Sequence, residues 1–188
     1  MHQSSITDEL LAAARGFVAL LTGNRQAASY FDFSQRGLLG SFIALIIAST
    51  ITAFGPTVLG VPSEPGAATR SMILGIVLFG MQMGVIYLLL RALSRLDGFV
   101  PYLVADNWIS LFVAVLTVAG LSLFGASDVV LLVIGLVAIV LEVNIARLIV
   151  TLAPMQVVMF ILAQFAAQFA GVMLLAGFIP GAGPQPPI

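Results

Sequence analysis

The residue best placed to do chemistry is Glu142, an acidic side chain well inside a long apolar stretch of the sequence. Counting back from Arg147 at the helical rise places it about 7–8 Å deeper in a bilayer than that arginine. A carboxylate at this depth costs on the order of 2–3 kcal/mol, so it must pair, face water or carry a proton. The amides within its reach are Gln82, Gln164 and Asn144. These four residues form the candidate intramembrane polar cluster.

Two interpretations of Glu142 are open at this point. It is either a proton or cation relay, or a polar lock between helices that is hydrogen-bonded to a glutamine or reached by Arg91. A relay usually uses several titratable groups. The sequence shows no close pair of carboxylates, because Asp97 and Asp106 flank a connector between two apolar stretches.

Composition excludes several other chemistries. The chain contains no Cys and no Lys, and its only His is His2. Without thiolates or an intramembrane imidazole, a bound haem, copper or zinc is not expected. The sequence predicts a non-enzymatic protein with no catalytic residues, no metal and no cofactor. Its net charge of −1 gives no reason to expect nucleic acid as a partner.

Small residues mark two candidate helix-packing faces. Gly80 and Gly84 form a GxxxG pattern, and a second stripe carries Ala163, Ala167 and Gly171. Small side chains let two helix backbones approach closely within a membrane. These faces are predicted to pack inside the bundle or, alternatively, to hold another subunit.

The elements that must position these side chains are five apolar stretches, each long enough to cross a bilayer. The chain is 61% hydrophobic and 8% charged, whereas a soluble domain is about a quarter charged. The fold class predicted is therefore an all-α integral membrane protein. Its five transmembrane helices are expected at 38–54, 72–90, 108–124, 129–150 and 155–179, with Asp106 or Asn107 capping the third.

The flanking segments and the arginines predict the topology. Residues 1–36 are expected to form a cytoplasmic or interfacial amphipathic helix segment, 37–179 the bundle, and 180–188 a Pro- and Gly-rich extracytoplasmic tail. Of the seven arginines, six fall on one side of the five spans and only Arg70 on the other. Positive residues concentrate on the cytoplasmic side, which predicts a cytoplasmic N-terminus and an external C-terminus.

Three parts of the chain carry a family resemblance. They are LLTGNRQAASYFDFSQRGLLGSFIALI, the Asn107-Trp108 pair and the Ala146-Arg147 pair. Together they resemble a family of small, uncharacterised alphaproteobacterial inner-membrane proteins, similar in outline to the five-span Yip-type membrane proteins. The resemblance implies a five-helix bundle in a bacterial inner membrane and implies no catalytic residues.

Two functions are compatible with these features. The first is an accessory, scaffold or assembly subunit that contacts the lipid bilayer and docks on other integral membrane subunits or on itself. The alternative is a small oligomeric permease or channel in which Glu142 relays protons or cations. The first is favoured at this stage because the sequence offers one buried charge, small aqueous loops and two small-residue faces.

Overall fold

The computed structural model describes residues 6–60, 64–125 and 127–175, and its regular elements are helices. Five of them are long and apolar enough to cross a membrane, which confirms the predicted fold class. The α-helices are α1 (Ile6–Leu21), α2 (Gln35–Val58), α3 (Ala67–Ala92), α4 (Phe99–Phe124), α5 (Asp128–Asn144) and α6 (Pro154–Leu175). The predicted tail at 180–188 and the end of the fifth span at 176–179 lie outside the described residues.

Helix α4 begins earlier than the sequence indicates. It starts at Phe99, so Asp106 and Asn107 lie two turns inside the helix, and their prediction as N-terminal caps is wrong. The start of α4 was predicted too late because Pro101 suggests that this segment is a connector rather than a helix. A proline in the first turn of a helix is tolerated because its missing N–H would have no intrahelical partner there. Two polar residues are thereby moved from the membrane surface into the bundle.

Helix α2 also extends beyond its predicted end. It continues through Gly55 and Pro56 to Val58, since a proline this close to the C-terminus removes little of the helix's hydrogen bonding. At its start, the Ser34 hydroxyl accepts a hydrogen bond from the Gly37 amide at 3.3 Å. The Asp32 carboxylate accepts one from the Ser34 amide at 2.9 Å. These contacts form a tight entry into the first span.

The turns at one end of the bundle are tied together by Arg95. This end, where α2, α4 and α6 begin, is called the near end, and the opposite end the far end. Arg95 donates to the carbonyls of Val150, at 2.6 Å, and Thr151, at 2.9 Å. Between these carbonyls and α5 the chain forms a π-helical turn at Ile145–Ile149. The α3–α4 and α5–α6 connections are thus held against each other.

The spans pair with helices that are not their neighbours in sequence. Helix α2 packs most extensively on α4, and α3 packs on α6, whereas α3–α4 and α5–α6 touch sparingly. Helix α1 buries Ala13, Gly16, Ala19 and Leu20 against the bundle. Its predicted position in the membrane interface stays a prediction. The bundle therefore consists of an α3–α6 pair set beside a larger group of α1, α2, α4 and α5.

The two small-residue faces differ in what they contact. Ala167 and Gly171 are buried, and a Cβ built on Gly171 would lie 2.4 Å from Leu78 of α3. Ala163 is partly buried. Gly80 and Gly84 point outward, with no heavy atom within 4 Å of an added Cβ. The α6 stripe packs inside the bundle, and the GxxxG of α3 does not.

Replacing Gly37 by alanine is expected to destabilise the protein, because the new Cβ would lie 1.9 Å from the Asp32 carbonyl oxygen. Overpacking of this kind costs about 1–3 kcal/mol. The matched control is Gly80→Ala, where the added methyl group meets open space. Unfolding of both variants in mixed detergent micelles, followed by circular dichroism, measures the difference. Equal midpoints for the two variants would contradict the close approach at Gly37.

Candidate functional site

A chain of side-chain amides crosses from α3 to α5 through α6. Gln168 donates to the Gln82 carbonyl at 3.0 Å, and Gln82 donates to the Gln164 carbonyl at 2.9 Å. Gln164 in turn donates to the Glu142 carboxylate at 3.1 Å. Gln164 and Gln168 lie one helical turn apart, so both reach the same face of α6. We call this set the amide chain.

The amide chain has one direction, and Glu142 sets it. An ionised carboxylate only accepts hydrogen bonds, so Gln164 must present its NH₂ group to it. The carbonyl of Gln164 then faces Gln82, whose own carbonyl faces Gln168. Each amide dipole consequently turns its positive end toward Glu142, and successive bonds strengthen one another. The arrangement stabilises a negative charge on Glu142 within the bundle.

A second acid completes the cluster from α4. The carboxyl of Asp106, which is 7% exposed, lies within hydrogen-bonding reach of the Glu142 carboxyl. Two carboxylates this close repel each other strongly, and a shared proton or a bound cation would relieve that repulsion. Because Glu142 also accepts from Gln164, it is the better anion, and Asp106 is the better proton carrier.

Tyr102 brings an unsatisfied hydroxyl to this carboxyl pair. The residue is fully buried, and its ring packs edge-on against Phe160 at 5.2 Å between centroids. The hydroxyl lies near Gln82 and both carboxyls, yet it completes no hydrogen bond among the described residues. A buried hydroxyl without a partner is costly. It is therefore positioned to donate when a proton leaves the pair.

Glu142 stands between two cavities. The first is a cleft of about 620 Å³ that runs from Leu59 and Leu121 at the far end down to Asp106 and Glu142. Its walls are mostly apolar and carry the hydroxyls of Ser49, Thr52, Ser71, Ser110 and Thr117. The second, of about 360 Å³, lies between α3, α5 and α6 and is lined by Glu142 and the amide chain. We call these the far cleft and the lateral cavity.

The structure brings together three of the four residues of the predicted cluster. Glu142, Gln82 and Gln164 are brought together, and Glu142 bonds to an amide and an acid rather than to Arg91. Asn144 lies elsewhere, because its amide donates at 2.7 Å to the Leu20 carbonyl at the end of α1.

Three members of the cluster were missed. Gln168 could have been found from its four-residue spacing to Gln164. Asp106 was hidden by its assignment to a helix cap, and the expectation of no close carboxylate pair is wrong for the same reason. Tyr102 offered no signal, since it was placed in the connector that proved to be the start of α4.

Comparisons with known protein families, with curated proteins and with solved structures find no match to this chain. The resemblance to small inner-membrane proteins and to the Yip type stays a prediction. Function must be inferred from the chemistry of the cluster and the two cavities.

Replacing Gln164 by leucine is expected to destabilise the bundle more than the same change at Gln168. The first removes the middle of the amide chain, so the Gln82 NH₂ group loses its acceptor and Glu142 loses its amide donor. Leaving such groups unsatisfied costs about 1–3 kcal/mol. The second removes one terminal bond, which is worth about 0.6 kcal/mol inside a membrane protein. Reversible unfolding in mixed micelles measures both, and equal losses would mean that the chain is not coupled.

Proposed function

We propose that this protein is a small permease that moves a cation across the membrane in exchange for a proton held by Asp106 and Glu142. The observation that carries the proposal is the place of this pair, at the floor of the far cleft and in the wall of the lateral cavity. A group that can take up and release a proton between two cavities is what an exchange site requires. Translocation of this kind makes and breaks no covalent bond, so the protein is not an enzyme.

The second carboxyl changes the balance between the two functions considered from the sequence. One isolated acid favours a structural lock, because a relay needs a donor and an acceptor in contact. Asp106 and Glu142 supply both, with Tyr102 beside them as a further hydroxyl. A lock between α5 and α6 would need only the bond from Gln164, so the Asp106 carboxyl beside Glu142 and the unpartnered Tyr102 hydroxyl favour the relay. Intramembrane carboxyl groups of this type are typical of ion pathways.

The sparse contacts of α3 with α4 and of α6 with α5 supply the moving part. The α3–α6 pair is also held by packing of α3 on α2, and the cluster is a polar link from the pair to α5. If Glu142 takes a proton, its O–H can donate to Asp106 or to Gln164, and in the second case the amide chain reverses its direction bond by bond. Protonation thereby changes how tightly the α3–α6 pair is held. Small shifts of this pair would open the cluster to one cavity at a time.

The arginine distribution supplies the orientation of the permease. We place the near end, with α1, on the cytoplasmic side of a bacterial inner membrane, because six arginines lie toward that side. The far cleft then faces the outside. In this orientation the carboxyl pair takes up protons through the far cleft.

Replacing Glu142 by glutamine is expected to abolish exchange. The purified protein would be reconstituted into liposomes with an imposed pH gradient, and dissipation of the gradient would be followed on adding sodium, potassium or the organic cation ethidium. The wild type should dissipate it with at least one of these cations, and Glu142→Gln and Asp106→Asn should match empty liposomes. Asp128→Asn, an exposed acid on the same helix as Glu142, is the matched control and should keep the activity. No dissipation by the wild type with any cation would reject the permease.

An accessory role is the second candidate, and the unpartnered face of α3 favours it. Helix α3 has 17% of its span buried, the lowest share of the five. Gly80 and Gly84 lie on it with open space above them. Such a face suits lateral docking on another membrane subunit or a second copy.

Docking through this face predicts that Gly80→Leu weakens co-purification of the bound subunit. The added side chain would keep the two helix backbones apart. Native mass spectrometry of the protein extracted in mild detergent measures the assembly. Gly135→Leu is the control, because it fills an equally open position on α5. A monomeric wild type, or an assembly that Gly80→Leu leaves intact, would reject docking through α3.

A further inference from the structure

The lateral cavity and the carboxyl pair together point to a class of substrate. We propose that the cation is a hydrophobic organic monocation, which enters from the bilayer between α5 and α6 and binds Asp106 and Glu142 in place of their shared proton. This inference deepens the proposed function and rests on it.

We place the entrance where the lateral cavity's lining is exposed on the bundle surface, at Gly135 and Ile139 of α5 and Phe165 of α6. Phe165 is 54% exposed on the lipid-facing surface, and no heavy atom lies within 4 Å of a Cβ added to Gly135. Glycine at this position leaves a gap in the helix surface at the depth of the acyl chains. A solute already dissolved in the bilayer reaches Glu142 through this gap without crossing a polar layer.

The walls suit an organic cation better than an alkali ion. Side chains such as Leu45, Phe79 and Val113 line the far cleft, and Ile139, Ile161 and Phe165 line the lateral cavity. The far cleft alone, at about 620 Å³, lies within the size range of sites for small organic ligands. A hard cation such as Na⁺ selects a compact cage of oxygen ligands, whereas here the carboxyl oxygens lie at one end of a large apolar space and the hydroxyls are spread along its walls.

Charge complementarity at that point fixes the sign of the substrate. Once the shared proton leaves, the pair carries two negative charges, and no positive side chain in the described part of the chain pairs with them. Among the described residues, the other titratable group facing the pair is Tyr102 on α4. Helices α3 and α6 present amides, and α2 contributes only the hydroxyls of Ser49 and Thr52 to the cleft. An arriving cation therefore replaces the proton and restores the balance of charge.

Tyr102 supplies an independent indication that something binds here. Its hydroxyl is fully buried beside the pair and lacks a partner among the described residues. When the proton leaves and the cation enters, this hydroxyl can donate to the freed carboxylate oxygen. We assign it as a positioning residue, which holds the ionised pair toward the cation. Tyr102→Phe should weaken cation binding while leaving the amide chain and the fold unchanged.

The test is calorimetric binding of tetraphenylphosphonium to the purified full chain in detergent, in two buffers of different ionisation enthalpy. Binding should release about one proton per cation. Over the pH range in which the pair holds its proton, the affinity should fall about tenfold for each unit by which the pH is lowered. Glu142→Gln and Asp106→Asn should lose both the binding and the proton release. In stopped-flow mixing with tetraphenylphosphonium, Gly135→Leu should slow association by narrowing the entrance, and Ala170→Leu, at an exposed position on α6 outside both cavities, should not.

The outcomes separate this inference from the proposed function. Exchange of sodium or potassium in liposomes without any tetraphenylphosphonium binding would overturn the substrate class and leave the permease standing. Binding that releases no proton, or that survives Glu142→Gln, would overturn the exchange at the carboxyl pair. Unchanged association in Gly135→Leu would overturn the lateral entrance. Failure of every cation in both assays would overturn the proposed function itself.

Discussion

The structure depends on the fact that a bilayer offers no hydrogen-bond partners to polar side chains. Glu142 and the amides around it must therefore satisfy one another, and they do so in a single chain that joins α3, α6, α5 and α4. Its members lie far apart in sequence, so the chain of bonds constrains which helices can be neighbours. The apolar side chains of the bundle could contact lipid instead of each other at little cost, because acyl chains are as apolar as leucine. Polar satisfaction, more than burial, defines this arrangement.

Much of the fold could be predicted because its signals are local. Apolar length alone identifies the five spans, and a lone carboxylate at depth predicts a polar partner. Gln82 and Gln164 were found because amides at mid-depth are as conspicuous as Glu142 itself. Their partnership needs no knowledge of helix order, only of depth, and depth follows from counting residues along each span.

The rest could not be predicted because it depends on packing between distant segments. The packing of α3 on α6 places Gly171 against Leu78, a close fit that no local pattern reveals. Asn144 was included because of its depth, but its side chain points toward α1 rather than toward the cluster. Asp106 was not predicted to lie inside the bundle because Pro101 suggested that the connector continued up to it. A proline in the first turn of a helix and a proline in a loop look alike in sequence. The start of α4 therefore decides whether Glu142 is predicted to be a lone acid or one member of a carboxyl pair.

Under the proposed function, the same hydrogen bonds that hold the bundle together would also let it switch. A carboxylate, a protonated carboxyl and an amide can exchange the roles of donor and acceptor, so the chain keeps all of its bonds in either direction. Two arrangements of similar energy then exist for one set of side chains, and the proton on the pair selects between them. An apolar interface in this place would have one best packing and no chemical signal to change it. Polar groups at a sparsely packed boundary provide both the link between the helix pairs and the means to alter it.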